Sequence, residues 1–430
     1  MLLFLLLFFF LPYLEGASIK VEVSAKGAIL MNAETGAVLY EKNAHQPMFP
    51  ASITKIVTAL YALEKKTDLS LKDVIVADNE TVATVAPHVR RVAGSKHPSH
   101  RLEYGGTHMG IKVGEALSFE VLLYGLMLAS GNDAANTIAH YVSGSVPQFM
   151  HEVNAYAKSK GCTQTHLCNP HGLPWPDHVT TAYDMALLAR EAVKNPLLCK
   201  IVKTVKCTRP ATNMQPESFL YQHNALVKPG SKFYYPKAMG IKTGYTSAGG
   251  YTIVAAAEDP QRKLICVLLG CDQLEQRYKD AIALFEAAFN EKKMSRTLFS
   301  KEFDSFSSSI KGGKTLLEAV LPQDLIVEYF ASEEQTFHSQ IQWDDAVSLP
   351  IRRGQKVGQV RIVSEEKTCA LSPLFALKDV EPTFAHSLWM RWTACKKWIS
   401  YYLSWVLGLF GFAILAGTFY LSRSRKSSKN

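Results

Sequence analysis

Two residues three positions apart, Ser52 and Lys55, carry the first chemical possibility in this chain. Residues at that spacing share a face on a helix, which would put an amine one turn below a hydroxyl. A serine is a poor nucleophile until a base takes its proton, and a lysine is such a base only when neutral. Burial disfavours the ammonium, and a second cation nearby disfavours it further. Lys242 is a candidate for that second cation. A serine at a helix start also offers its own backbone N–H to an oxyanion, with the helix dipole behind it. Taken alone the pattern is weak. A serine after Pro50 reads equally as an ordinary helix cap, and S-x-x-K recurs at Ser308–Lys311 and Ser364–Lys367.

Two further segments follow in order. Ser130-Gly131-Asn132 comes after the apolar stretch Leu122–Leu128 and before a second helical run, a turn that can present a hydroxyl and a carboxamide to a cleft. Ser130 suits a proton relay from Ser52 to a departing amine, and the Asn132 amide suits a substrate carbonyl. Alone, the segment reads as a helix-linking turn. Lys242-Thr243-Gly244-Tyr245 fits a strand on which Gly244 allows a substrate backbone to approach. Lys242 and the Thr243 hydroxyl suit a carboxylate, and the Tyr245 N–H would complete an oxyanion pair with that of Ser52. K-T-G occurs once in the chain. The three segments in this order predict nucleophilic acyl transfer with a carboxylate-bearing substrate.

The elements that must position these residues follow from periodicity. Gly27–Asn32 and Ala37–Glu41 flank a tight turn and predict a hairpin, and Tyr251–Ala257 with Lys263–Gly270 predict a second one, apolar enough to be buried on both faces. Leu274, Tyr278, Ile282, Phe285 and Phe289 recur at helical spacing. Between the two β ends lie helical stretches at Phe119–Val142 and Val179–Val193. The expected architecture is α+β, an antiparallel sheet built from both ends of a domain over 19–296 with a helical subdomain inserted. From about Leu298 short strands separated by Gly-, Pro- and Asp-containing turns (Thr315–Leu321, Leu325–Phe330, Val357–Val363) predict a small all-β domain over 297–380.

The ends read differently. Residues 1–18 form an apolar run closing in small residues, as a signal peptide does, although no basic residue precedes it. Residues 381–397 combine Phe384, Leu388, Trp392 and Cys395 with Arg391, Lys396 and Lys397, a pattern for the membrane surface. Trp398–Leu421 carries no charge and as a helix would extend about 36 Å, enough for a transmembrane span. The basic tail 422–430 (Arg423, Arg425, Lys426, Lys429) then belongs in the cytoplasm and the catalytic body outside it. Four of the +9 net charges sit in that tail and no nucleic-acid motif accompanies the rest, so the excess reads as membrane-related. The eight cysteines contain no C-x-x-C pair, which argues against a zinc ribbon or thioredoxin-like centre. Export permits disulfides without fixing a pairing, and free thiols fit equally well. The histidines around the basic stretch 88–103 (Arg90, Arg91, Lys96, Arg101) and His108 lack the spacing of a metal site, and a lone His171 reads as structural.

With these segments assembled, the chain resembles the serine-type D-alanyl-D-alanine carboxypeptidases, low-molecular-mass penicillin-binding proteins with a β-lactamase/transpeptidase-like catalytic domain. The resemblance spans Phe49-Pro50-Ala51-Ser52-Ile53-Thr54-Lys55, Ser130-Gly131-Asn132-Asp133-Ala134, Asn169-Pro170-His171-Gly172-Leu173 with Asp184, and Gly240-Ile241-Lys242-Thr243-Gly244-Tyr245-Thr246. Leu349-Pro350-Ile351 with Gly354-Gln355 and Val357-Gly358 resembles the family's C-terminal β domain. It implies Ser52 as acyl-enzyme nucleophile, Lys55 as base, Ser130 and Asn132 as second-motif residues, and Lys242 and Thr243 as binders of a terminal carboxylate. The implied substrate is a peptidoglycan stem peptide ending in D-Ala-D-Ala, the implied inhibitors are β-lactams, and no metal or cofactor is needed. Tyr245 stands where relatives often have histidine, and the 88–103 loop looks longer than theirs. A class A β-lactamase shares the three motifs, but resemblance to that family would require a glutamate-containing deacylation loop, and no E-x-x-x-N is expected in the interval before Lys242. A wall-binding scaffold without activity is disfavoured by intact Ser52, Lys55 and Lys242. Transpeptidation and endopeptidation share the same acyl-enzyme and stay open.

Overall fold

The computed structural model describes residues 19–65, 70–87, 89, 96–333, 337–364 and 367–427. The expected signal peptide and Arg90 and Arg91 lie outside them, as do the side chains at 367, 394, 397, 400, 410, 412, 413 and 415–427. The described chain falls into two compact units, one over 14–293 joined by Phe330–Glu334, the other over 294–329 and 335–430.

In chain order the first unit contains β1 (Gly27–Asn32), β2 (Val38–Lys42), α1 (Thr54–Lys65), β3 (Val74–Val76), α2 (Asn79–Val82), β4 (Ala116–Ser118), α3 (Phe119–Met127), α4 (Asn132–Ser143) and α5 (Val146–Ser159). It continues through α6 (Ala182–Lys194), α7 (Pro196–Lys203), β5 (Lys206–Arg209), β6 (Ser218–Tyr221), β7 (Ala238–Thr246), β8 (Gly250–Glu258), β9 (Lys263–Cys271) and α8 (Gln276–Phe289). The main sheet has the order β2-β1-β9-β8-β7, so the first hairpin pairs with the last strands and β7 is an open edge.

The strand sequences explain why this sheet is buried on both faces. Side chains alternate across a strand, and β1 is apolar at nearly every position, so no face of it tolerates water. Ile29 and Met31 enter a core with Ile56, Val57, Leu122, Leu126 and Met185 of the helices. Ala28 and Leu30 enter a second core with Tyr278, Leu284 and Phe285 of α8. Full burial of one such large side chain stabilises the fold by about 1.5–3 kcal/mol.

The helical stretch over Phe119–Val142 is divided at the turn expected over Ser130-Gly131-Asn132. Ser118 caps α3 by accepting from the Val121 N–H, and α4 starts anew at Asn132 after Ser130, whose φ of +59 lies in the left-handed region. The helix expected to start at Ser52 begins instead as a 3-10 turn over Ala51–Ile53 and becomes α-helical at Thr54.

The second unit contains β10 (Lys293–Phe299), β11 (Phe306–Ser308), β12 (Leu317–Val320), β13 (Leu325–Phe330), β14 (His338–Trp343), β15 (Lys356–Ser364), β16 (Lys367–Ala376) and α9 (Phe384–Ser427). A five-stranded sheet β11-β12-β16-β15-β14 covers its own core of Leu317, Val327, Val360, Ile362 and Leu374. Among the described residues no helix is long and apolar enough to cross a membrane, so the span expected at 398–421 is not supported there. From Phe384 onward the juxtamembrane segment and that span instead form one continuous backbone helix, α9.

Candidate active site

The turn that carries Ser52 is held from both sides. Thr252 of β8 donates its hydroxyl to the Pro50 carbonyl at 3.1 Å, and Ala51 takes a φ of +54, unusual for a residue with a Cβ. Ser52 stays partly exposed while Ala51 and Ile53 are buried, so its hydroxyl is the polar group of this turn that a solute can reach.

Lys55 follows one turn later and is completely buried. Its Nζ lies 3.0 Å from Ser52 Oγ, 2.8 Å from Asn132 Oδ1 and 2.7 Å from the His171 carbonyl oxygen. An ammonium would donate to all three. A neutral amine keeps two of these bonds, to Asn132 and His171, and turns its lone pair on the Ser52 hydroxyl, which then donates. Burial holds the Lys55 pKa well below 10.5, and the Lys242 charge lowers it further, against a smaller opposing pull from Asp133. The geometry therefore puts a buried amine with a lowered pKa in hydrogen-bonding contact with a hydroxyl.

Asn132 is placed by what surrounds it. Its N–H donates to the Thr107 carbonyl at 2.8 Å, while the neighbouring Asp133 carboxylate accepts from the backbone N–H groups of Met109, Gly110 and Ile111 at 2.8–2.9 Å. The start of α4 and the 107–111 loop thus form one wall. Ser130 sits two residues before, 5% exposed. Lys55 joins Ser52 and Asn132 directly, and Ser130 lies in the adjacent turn with no hydrogen bond to Ser52 among the described residues.

The opposite wall is β7. Gly244 faces the Ser52 turn so closely that a Cβ there would lie 2.7 Å from the Ser52 nitrogen and 2.5 Å from Thr252 Oγ1. Lys242 is buried, and its Nζ donates to the Thr243 carbonyl at 3.0 Å. Burial, with the Arg277 charge adding to it, lowers the Lys242 pKa from 10.5 to about 7. Among the described residues the buried Lys242 and Arg277 bond backbone carbonyls and the Tyr278 hydroxyl and form no ion pair with a carboxylate. Two desolvated cations lacking an anion are costly, which is what a site for an external carboxylate looks like. His223 adds to this corner: burial lowers its pKa, followed by the charges of Lys242, Lys228 and Arg277. Thr243 is 7% exposed, and Tyr245, 55% exposed, stacks on Tyr251 with ring centroids 4.3 Å apart.

Sequence reasoning missed several residues behind these. Gly172, with φ +92, passes so close to the Ala51 carbonyl that any side chain would collide with it. Thr54 and Arg277 also contact the site's backbone, and His178 reaches the Thr54 hydroxyl. Gly172 lay inside a recognised segment, whereas a lone histidine and a helical arginine gave no spacing signal. The E-x-x-x-N spacing of a deacylation loop does occur, at Glu191 and Asn195, contrary to expectation. There it serves helix ends: Glu191 pairs with Lys194 at 2.6 Å and Lys160 at 3.5 Å, and Asn195 caps α7. Among the described residues no group of histidine, cysteine and carboxylate side chains is arranged to hold a metal ion, and, Cys369 aside, the described cysteines are free thiols.

Fold and site together define a serine acyl-transfer enzyme. Residues 15–273 match the family of D-alanyl-D-alanine carboxypeptidases and residues 295–382 match the C-terminal domain of penicillin-binding protein 5. The chain is 28% identical over 380 residues to the D-alanyl-D-alanine carboxypeptidase DacF of Bacillus subtilis, covering 86% of this chain and 91% of that protein. A crystal structure of a D-alanyl-D-alanine carboxypeptidase from Mycobacterium tuberculosis matches with a TM-score of 0.53 at 29% identity, over 65% of this chain and 95% of that one. The carboxypeptidase DacD from Francisella tularensis matches in fold, with a TM-score of 0.58 at 23% identity over 86% of this chain and 96% of that one. The chain belongs to the D-alanyl-D-alanine carboxypeptidase family.

Proposed function

We propose that Ser52 of this serine-type D-alanyl-D-alanine carboxypeptidase attacks the peptide bond before the last D-alanine of a peptidoglycan stem peptide. The observation that carries the assignment is the buried Lys55 amine, 3.0 Å from Ser52 Oγ with a lowered pKa. Lys55 takes the hydroxyl proton as the C–O bond forms. The N–H groups of Ser52 and Tyr245 stabilise the oxyanion. Ser130 passes the proton to the departing D-alanine amine as the C–N bond breaks. Water then attacks the ester, releasing the shortened peptide and restoring the Ser52 hydroxyl. Lys242 and Thr243 bind the terminal carboxylate, Gly244 admits the substrate backbone beside them, and Asn132 holds a substrate carbonyl. A β-lactam follows the first half of this path and remains on Ser52 as a slowly released ester, because its leaving amine stays tethered.

Peptidoglycan as substrate puts the catalytic unit on the extracytoplasmic side. Anchoring to the bacterial membrane is part of the proposal, supported by the uncharged sequence over 398–421 and by the exposed rings of Trp398, Tyr401, Tyr402 and Trp405 on α9. Cosedimentation with phospholipid vesicles should be lost on truncation after Val380, and equal partitioning of both forms would reject it. For the activity, a pentapeptide ending in D-Ala-D-Ala is incubated with the protein and free D-alanine is followed. A wild-type release rate indistinguishable from that of Ser52→Ala rejects the reaction, and rapid turnover of a labelled penicillin would favour a β-lactamase instead.

A further inference from the structure

Each oxyanion N–H in this site is one end of a planar peptide whose other end is a carbonyl held by a buried side chain. In a trans peptide the C=O and the N–H point in opposite directions, so fixing one aims the other. The Ala51 carbonyl belongs to the peptide that carries the Ser52 N–H. It accepts from the Thr54 hydroxyl at 2.9 Å, and Thr54 Oγ1 lies 3.0 Å from His178 Nε2. The direction of that second bond follows from the far side of the ring. The Cys168 N–H donates to His178 Nδ1 at 2.9 Å, so Nδ1 has no proton, Nε2 carries it, and Nε2–H donates to Thr54. The threonine hydroxyl, already accepting, spends its single proton on Ala51. His178 and Thr54 are fully buried, which leaves this chain one direction to run.

The Gly244 carbonyl belongs to the peptide that carries the Tyr245 N–H. Arg277 Nη1 donates to it at 2.8 Å and to the Thr252 carbonyl of β8 at 3.3 Å, while Nη2 reaches the Tyr278 hydroxyl at 3.1 Å. One nitrogen touching both strands pulls the Gly244 oxygen toward β8. The Tyr245 N–H therefore points off the open edge of β7, the side without a strand partner.

We propose that the Cys168–His178–Thr54 relay and Arg277 are the positioning elements that preorganise the two oxyanion donors from behind. The proposal rests on the acyl-transfer reading of Ser52. Thr54 and His178 lie behind the Ser52 turn, and Arg277, whose charge belongs to the carboxylate corner, acts on the Tyr245 N–H through the Gly244 carbonyl. The left-handed Ala51 and the close pass of Gly172 fit this role, because a peptide held in an uncommon conformation needs a partner that over-determines it.

The test reads the donors themselves. Wild type, Thr54→Val, His178→Phe and Arg277→Met are acylated with a penicillin carrying a 13C label at the β-lactam carbonyl, and the ester stretch is read by difference infrared spectroscopy. An aligned oxyanion hole polarises the ester and lowers the band. The proposal expects a higher wavenumber in all three variants, with acylation about 10- to 100-fold slower, less than or comparable to loss of a whole donor. Thr54→Ser keeps a hydroxyl and His178→Gln keeps an acceptor and a donor, so both should return the band toward wild type. A merely structural role would lower the melting temperature without moving the band. Bands at the wild-type position in Thr54→Val and His178→Phe overturn the relay, and an unmoved band in Arg277→Met overturns the second half. Absence of any adduct on the wild-type protein would instead overturn the acyl-enzyme reading.

Discussion

Replacing Lys242 with methionine should make the protein more stable and inactive at once. The side chain is 2% exposed, its Nζ makes one bond to a backbone carbonyl, and Arg277 is the charge that presses on it. In the unfolded chain its pKa is the ordinary 10.5, and in the fold it is about 7. That difference corresponds to about 5 kcal/mol of unfavourable interaction with the protonated form. The sign follows from proton counts: between pH 7 and 10.5 the unfolded chain holds a proton that the folded chain has lost, so stability rises as pH rises through this window. Below pH 7 the folded protein carries the full cost. Methionine removes it while forfeiting one hydrogen bond of about 1 kcal/mol. The net gain is a few kcal/mol, worth about 5–10 °C in melting temperature for a domain of this size. The assay is thermal unfolding of both proteins at pH 6 and pH 9, beside penicillin acylation. The variant should melt higher at pH 6, show a smaller rise toward pH 9, and acylate poorly. A Lys242→Met protein that melts at or below wild type at pH 6 would refute the claim that an uncompensated buried cation sits in this wall.

Lys55→Arg keeps the charge but cannot surrender a proton at any accessible pH, so acylation should fall by about 10²–10⁴-fold, and normal acylation would exclude Lys55 as the base. Because burial and then Lys242 lower the Lys55 pKa, the acylation rate should rise with pH as Lys55 deprotonates. In Lys242→Met that limb should move to higher pH, and an unmoved limb would show that the two amines do not interact. Gly172→Ala adds a Cβ at a φ of +92 against the Ala51 carbonyl, so we expect at least about 2 kcal/mol of destabilisation together with slower acylation. Wild-type values for both, measured by denaturant unfolding and penicillin labelling, would mean that the Ala51 turn is not held there.

Motif order was enough to point to Ser52, Lys55, Asn132 and Lys242 because their chemistry depends on residue type at short spacing. The hairpins and α8 were legible for a similar reason: alternation and helical recurrence are properties of consecutive residues, and β1, β8 and β9 appear with bounds close to the periodic runs. The continuous apolar character of those strands also announced a sheet covered on both sides. The division of Phe119–Val142 into two helices was legible as a turn at Ser130-Gly131-Asn132, whereas the left-handed conformation of Ser130 within it was not, since no side chain demands it.

What the amino-acid order determined by itself was the set of reactive groups and the kind of elements that carry them. Which groups touch was decided by the tertiary structure. The His171 carbonyl, the Asn132 carboxamide and the Ser52 hydroxyl converge on one amine from positions 171, 132 and 52, and only packing of α1 against α4 and the 169–173 segment brings them there. The pKa of Lys55 is likewise a property of burial and of a charge on a distant strand. Arg277 meets a backbone carbonyl directly and His178 meets one by way of Thr54, and every residue possesses a carbonyl, so these contacts leave no mark on composition or spacing.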